Sequence, residues 1–277
     1  MTKVAIITGA SSGFGLLTAV ELAKSGYQTI ATMRDLNRQQ PLLELAKREG
    51  VESRLQIMQL DVTQENQVQE VVGRVVEQYG AIDLLVNNAG YAKGGLVEEI
   101  PMSEWRKQFD TNVFGLIQMT QVVLPYMRSK RSGTIINLSS ISGLIGFPMM
   151  APYVASKHAV EGFSEALRLE VASFGIRVVL VEPGAFQTAI WEKGLSTADA
   201  TGAVDYSHIT GKVMSQAQQI AQTGEDPLQV AKLIVQISQS SSPSLRYPIG
   251  KGTKQAIWLK KIVPWSILEK VLGKQLH

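Results

Sequence analysis

Tyr153 and Lys157 stand four residues apart in the run Pro152-Tyr153-Val154-Ala155-Ser156-Lys157, where a helical pattern begins. That spacing puts both side chains on one helix face. An ammonium held beside a phenol stabilises the phenolate and draws down a pKa that is ordinarily about 10, so the tyrosine can exchange protons near neutrality. The pair is then an acid/base device. A Tyr and a Lys at this spacing also simply pack and snorkel on many helices, so their meaning rests on their neighbours. Ser139 and Ser140 follow directly on the apolar run 134–138, and Asn87-Asn88-Ala89-Gly90 closes another. Ligands meet open parallel sheets at the carboxyl ends of their strands, so these segments can converge on one crevice. Read alone, the asparagine run is better taken as an Asx turn.

A second constellation opens at that same edge. Thr8-Gly9-Ala10-Ser11-Ser12-Gly13-Phe14-Gly15 follows the first apolar run and begins the first helical stretch. Glycines at 9, 13 and 15 allow a tight turn and a close ligand approach, and free N–H groups at a helix N-terminus attract a pyrophosphate. The spacing is G-x-x-x-G-x-G, distinct from the commoner G-x-G-x-x-G. After the second strand, Arg34 would favour a 2′-phosphate and Asp35 a ribose 2′-hydroxyl. Arg34 comes first, with Ser12 and Arg38 as further donors, so NADP is expected over NAD. Asp35 could instead cap the next helix.

Short β-branched runs at 4–7, 29–33, 55–60, 84–86, 134–138 and 178–181 would carry these residues, alternating with helical periodicity at 16–24, 66–79 and 104–128. This is the pattern of repeated β-α units, a parallel sheet covered on both faces. Several runs show no alternation, as strands buried on both faces do. From 187 to 225 the rhythm lapses into a polar stretch too long for an ordinary connection, the mark of a lid or a disordered segment. A helix is expected at 227–239, with proline in its first turn.

Composition narrows the function classes. The 277 residues carry a net charge of +3, but six lysines against one glutamate put +5 on residues 251–277, leaving −2 on the body. A basic face for nucleic acid is therefore missing from the body. No cysteine exists, and the histidines at 158, 208 and 277 are too dispersed for a zinc site, so no metal is expected. Mean hydropathy is +0.05, and no apolar run approaches the roughly 18 residues of a membrane span. With no signal-peptide pattern at its start, the chain is expected to be cytoplasmic.

TGASSGFG at 8–15, LDVT at 60–63, NNAG at 87–90, TNVFG at 111–115, INLSS at 136–140, YVASK at 153–157 and EPG at 182–184 resemble, in order and spacing, the short-chain dehydrogenases/reductases. The resemblance covers about residues 3–190, and the ATMRD run with the long C-terminal third looks like the 17β-hydroxysteroid and retinol dehydrogenase branches. It implies a single Rossmann-type doubly wound α/β domain over 1–277 and a tetrad of Asn112, Ser140, Tyr153 and Lys157. In that scheme Tyr153 exchanges a proton with the substrate oxygen and Ser140 orients that oxygen. Lys157 holds the ribose and lowers the Tyr153 pKa, and Asn112 anchors a water. The cofactor would lie along Gly9, Ser11, Ser12, Gly13, Phe14 and Gly15, with Arg34 at its phosphate and Asp61 and Val62 at its adenine. Asn88, Ala89 and Gly90 would form the ribose wall, and Pro183, Gly184, Phe186 and Thr188 the nicotinamide end. Phe186 replaces a commoner small residue. Asp61 read alone is equally an N-cap or turn residue.

The substrate wall is expected from 142–150, the stretch after Tyr91 and the 187–225 lid. Leu144, Ile145, Phe147, Met149 and Met150 are apolar and adaptable, suggesting a hydrophobic alcohol or carbonyl compound, although such residues also simply close cores. His208 in the lid could touch substrate or merely be solvated. In the tail, apolar residues from Ile257 to Leu272 alternate with lysines around Pro264, fitting two short amphipathic helices. Packing on the body or a neighbouring subunit is the favoured role, with contact to an anionic membrane as the alternative. The family resemblance implies a dimer or tetramer. The expected function is an NADP-dependent alcohol/carbonyl oxidoreductase; the alternative is an NADPH sensor without turnover, which would need none of the acid/base set.

Overall fold

The computed structural model describes residues 2–188, Gly194 and 206–276, the last six by backbone alone. Seven parallel strands form one sheet in the order β3-β2-β1-β4-β5-β6-β7. They are β1 Val4–Ile7, β2 Gln28–Met33, β3 Leu55–Gln59, β4 Leu84–Asn87, β5 Gly133–Leu138, β6 Ile176–Pro183 and β7 Arg246–Ile249. Strands β1, β4 and β5 are buried along their whole length, as their unbroken apolar runs predict.

Successive strand side chains point to opposite faces, and each face meets its own helices. Ala5 and Ile7 of β1 lie with α1 (Gly13–Lys24), α2 (Gln40–Arg48) and α8 (Leu228–Gln239). Val4 and Ile6 lie with α3 (Glu65–Tyr79), α5 (Gly115–Lys130) and α6 (Ala151–Val171). Helix α4 (Met102–Phe109) runs into α5 through a wide π-helical turn, Asp110–Phe114. The strand order reverses between β1 and β4, which opens a crevice at the carboxyl ends of these two strands.

Strand β7 was not apparent in the sequence. It is a four-residue edge containing Pro248, a residue confined to edges because it donates no ladder bond. Of the 187–225 stretch, 189–193 and 195–205 lie outside the described residues. The rest is more regular than expected, for it contains α7 (Ser207–Thr223), and a parallel bridge of Phe186 with Glu225 clasps its two ends. Val213 and Ala217 of α7 pack with Met149, Met150 and Tyr153.

The two tail helices are α9 (Thr253–Ile262) and α10 (Trp265–Leu276), separated at Pro264. Their packing meets only in part the expectation of an apolar face laid on the body. Thr253 is buried and Lys260 Nζ donates to the Leu144 carbonyl, yet Trp258, Leu259, Ile262, Trp265 and Ile267 face outward. Body contact is made by the root of the tail, by this lysine and by α10 against α7, with Ile257, Val263 and Leu268 half-buried, and not by the tryptophans.

Candidate active site

A groove of about 840 Å³ follows the carboxyl edge of the sheet. Gly9, Ser11, Ser12, Gly13 and Phe14 line it after β1, Arg34, Asp35 and Arg38 after β2, and Asp61 and Val62 after β3. Asn88, Ala89 and Gly90 follow after β4, then Ser139 after β5, with Tyr153 and Lys157 from α6 and Thr188 beyond β6. Segments far apart in sequence thus meet on one crevice.

The glycine loop is held by the ends of three strands. Thr8 N–H donates to Val86 O at 3.0 Å and Ala10 N–H to Thr32 O at 2.8 Å. Asn88 Nδ2 donates to Thr8 O at 2.8 Å and Gly9 O at 3.0 Å, while the N–H groups of Asn88 and Ala89 donate to Thr8 Oγ1. Gly9 has φ +71°, and a Cβ there would lie 2.8 Å from Ala89 Cα. A Cβ on Gly15 would come within 2.4 Å of both Gly9 O and Asn88 Nδ2. Gly15 thus sits behind the groove and lets the loop close on α1. Ser12 is extended at the N-cap and its side chain makes no cap bond, which leaves the first turn of α1 to an anion. A side-chain-free cradle at an uncapped helix N-terminus fits a dinucleotide pyrophosphate.

Around the tyrosine, the fold concentrates buried polar groups. Tyr153 and Lys157 are both buried, and Ser140 hydrogen-bonds the Tyr153 hydroxyl. Lys157 Nζ donates to Leu138 O at 2.6 Å and lies 5.7 Å from the Tyr153 ring centroid. Burial pushes the phenol up to about 12 against the downward pull of Ser140. Lys157 is pushed down to about 8, also by burial, with Glu161 opposing. The opposing pull on the phenol comes from Ser140 and not from Lys157, and desolvation beneath apolar side chains outweighs it.

Asn112 does not line the groove. In the π-helical turn, its Oδ1 accepts from Tyr91 N–H at 3.1 Å and its Nδ2 donates to Tyr91 O at 2.9 Å and Ser156 Oγ at 3.2 Å. Gln108, fully buried one turn earlier, binds Tyr91 O and Lys93 N–H at 2.7 Å each. Together they brace the segment after β4. Ser140, Pro183, Gly184 and Phe186 also stand behind the lining. Phe186 is buried edge-on against Phe14 at 5.6 Å, so Phe14 meets the groove and Phe186 supports it. Asp61 lines the groove and accepts from Thr63 N–H and Oγ1 as a turn residue. Asp35 accepts from Asn37 N–H as the cap of a short turn. His208 lies exposed on α7.

Two polar systems escaped sequence reasoning. Asn87 Nδ2 donates to Thr120 Oγ1 and Asn137 Oδ1, and Asn137 Nδ2 to Ser164 Oγ, tying β4, β5, α5 and α6 together under the site. Asparagines in otherwise apolar strands were the available signal. Arg246 of β7 reaches Glu161 and Glu165 of α6 and Glu182 of β6. Two buried carboxyls sharing one guanidinium cannot both ionise freely, and Glu182 is pushed up to about 8 by burial and by Glu161.

The short chain dehydrogenase family model matches residues 3–199. The uncharacterised oxidoreductase YusZ of Bacillus subtilis is 48% identical over 277 residues, covering 99% of this chain and 98% of that one. Retinol dehydrogenase 8 of Bos taurus is 36% identical, covering 95% and 86%. Among solved structures, ElxO with NADP bound has a TM-score of 0.77 at 30% identity, covering 92% of this chain and all of that one. Fold, groove and matched sequence agree: the chain belongs to the short-chain dehydrogenase/reductase family of oxidoreductases.

Proposed function

We propose that the protein is an NADP(H)-dependent oxidoreductase interconverting an apolar alcohol with its ketone or aldehyde, with Tyr153 as the acid/base. The observation that carries this is the meeting of the Tyr153 phenol, its Ser140 hydrogen bond and the Lys157 ammonium at one end of the glycine-loop groove. A nicotinamide bound there supplies or accepts the hydride. With its pKa near 12, Tyr153 is protonated at neutral pH and donates to the carbonyl oxygen during reduction. Ser140 fixes that oxygen by hydrogen bonding, and Lys157 holds ribose hydroxyls and stabilises the phenolate left behind. Asn112, Gln108 and Asn88 position the walls. Pro183, Gly184 and Phe186 back the nicotinamide end and Thr188 faces it.

The preference for NADP is supported by Arg34 and Arg38 on the groove, while the Asp35 carboxylate is engaged with Asn37. The apolar substrate is supported by Met149, Met150, Leu96, Val213 and Ala217 around Tyr153. In this reading, residues 1–277 are one domain, 187–225 act as a lid and 251–277 are a basic extension. The test follows NADPH absorbance over a panel of apolar ketones and aldehydes. Turnover faster with NADPH than NADH is expected; tight NADPH binding with no carbonyl reduced would overturn the reading. Tyr153→Phe should lower kcat about 10²–10⁴-fold while cofactor Kd stays as in wild type.

A further inference from the structure

Five of the twelve large apolar side chains exposed among the described residues fall between Trp258 and Ile267. Trp258 is 62% exposed and Trp265 57%. Exposed lysines stand among them at 251, 254, 261 and 270. Along α9, Lys254, Trp258, Lys261 and Ile262 lie three or four residues from one another or side by side, so they share one outward face, and Trp265 and Ile267 are exposed beyond the break at Pro264. Phe147, also exposed, belongs to the loop that Lys260 grips through Leu144. The patch therefore extends toward the segment leading into α6.

We propose that α9 and α10 form a docking surface for an anionic lipid bilayer, lying in its interface plane. Charge complementarity selects this occupant. Residues 251–277 carry +5 on a body of −2, and tryptophan beside lysine is the composition that settles at headgroup level. A second copy of the chain fits poorly: a two-fold dimer sets a patch against itself, lysines facing lysines, and interface cores are depleted in lysine. Spanning is excluded for the described residues, since no helix is long and apolar enough to cross a membrane.

The experiment is cosedimentation of the full chain with vesicles of phosphatidylcholine, with and without phosphatidylglycerol, together with tryptophan emission. Binding to the anionic vesicles alone, with a blue shift, is expected. Each lysine near such a surface contributes about 1 kcal/mol, roughly fivefold in partition. Lys254→Gln with Lys261→Gln should thus weaken binding on the order of 25-fold, and Trp258→Ser with Trp265→Ser should abolish both binding and shift. These side chains are exposed, so the variants should keep the wild-type circular dichroism. No binding to anionic vesicles, or binding unchanged in both double variants, would overturn the proposal. So would a dimer in sedimentation velocity that the tryptophan pair dissolves while vesicles go unbound, which would assign the face to a second copy.

Discussion

Tyr153 illustrates how position and chemistry separate at the scale of a residue. Its partners were legible, because i, i+4 spacing and a serine at a strand end are sequence properties. Its titration was not. Burial at 5% exposure and the placement of Lys157 on the Leu138 carbonyl come from packing among distant elements. The outcome favours a phenol that gives a proton over one that readily loses it at rest. Arg34 is simpler, since it stands exposed at the end of β2 on the groove. A charge-assisted hydrogen bond contributes about 1.5–3 kcal/mol. Arg34→Ala should therefore raise the Kd for NADPH roughly 10- to 100-fold and leave that for NADH within about threefold. Titration calorimetry with both nucleotides decides it, and equal losses would remove the basis for the NADP preference.

Elements explain why part of the site was hidden. Six strands announced themselves by continuous β-branched runs, and the helices between them by periodicity. Strand β7 did not, because Arg-Tyr-Pro-Ile has neither pattern and becomes a strand only by pairing with β6. With β7 missed, the role of Arg246 in tying α6 to the sheet was missed too, and so was the full burial of Glu182 beside it. That burial makes a pH prediction. The folded pKa of Glu182 is raised to about 8 from an ordinary 4.5. Between those values the native state holds a proton that the unfolded chain has released, so this group's contribution to stability falls as pH rises. Glu182→Gln keeps the shape without the titration. Its melting temperature relative to wild type should climb from pH 5 to pH 8, as measured by thermal denaturation across that range. A constant difference would show that Glu182 is ionised throughout.

For the whole molecule, charge and architecture divide at the same place. The body closes around the sheet with its own helices, while the tail joins it through a few specific contacts. Thr253 is buried against Gly184, where any Cβ would meet its Oγ1, and that hydroxyl donates to Ile249 O. Lys260 holds the Leu144 carbonyl in the segment between β5 and α6. The first half of the tail is therefore part of the fold, although the sequence marks all of 251–277 alike as basic and amphipathic; only the pattern of contacts distinguishes root from surface. Two truncations separate the roles. A chain ending at Gly250 loses both hydrogen bonds, each contributing about 1 kcal/mol. At about 2–4 °C per kcal/mol for a chain of this size class, its melting temperature should fall by about 4–8 °C. A chain ending at Val263 keeps both contacts and loses only the packing of α10 on α7, so it should melt closer to the full protein than the chain ending at Gly250 does. If the two truncations melted alike, the contacts of Thr253 and Lys260 would contribute nothing measurable, and the entire tail would be an appendage to a body already complete at β7.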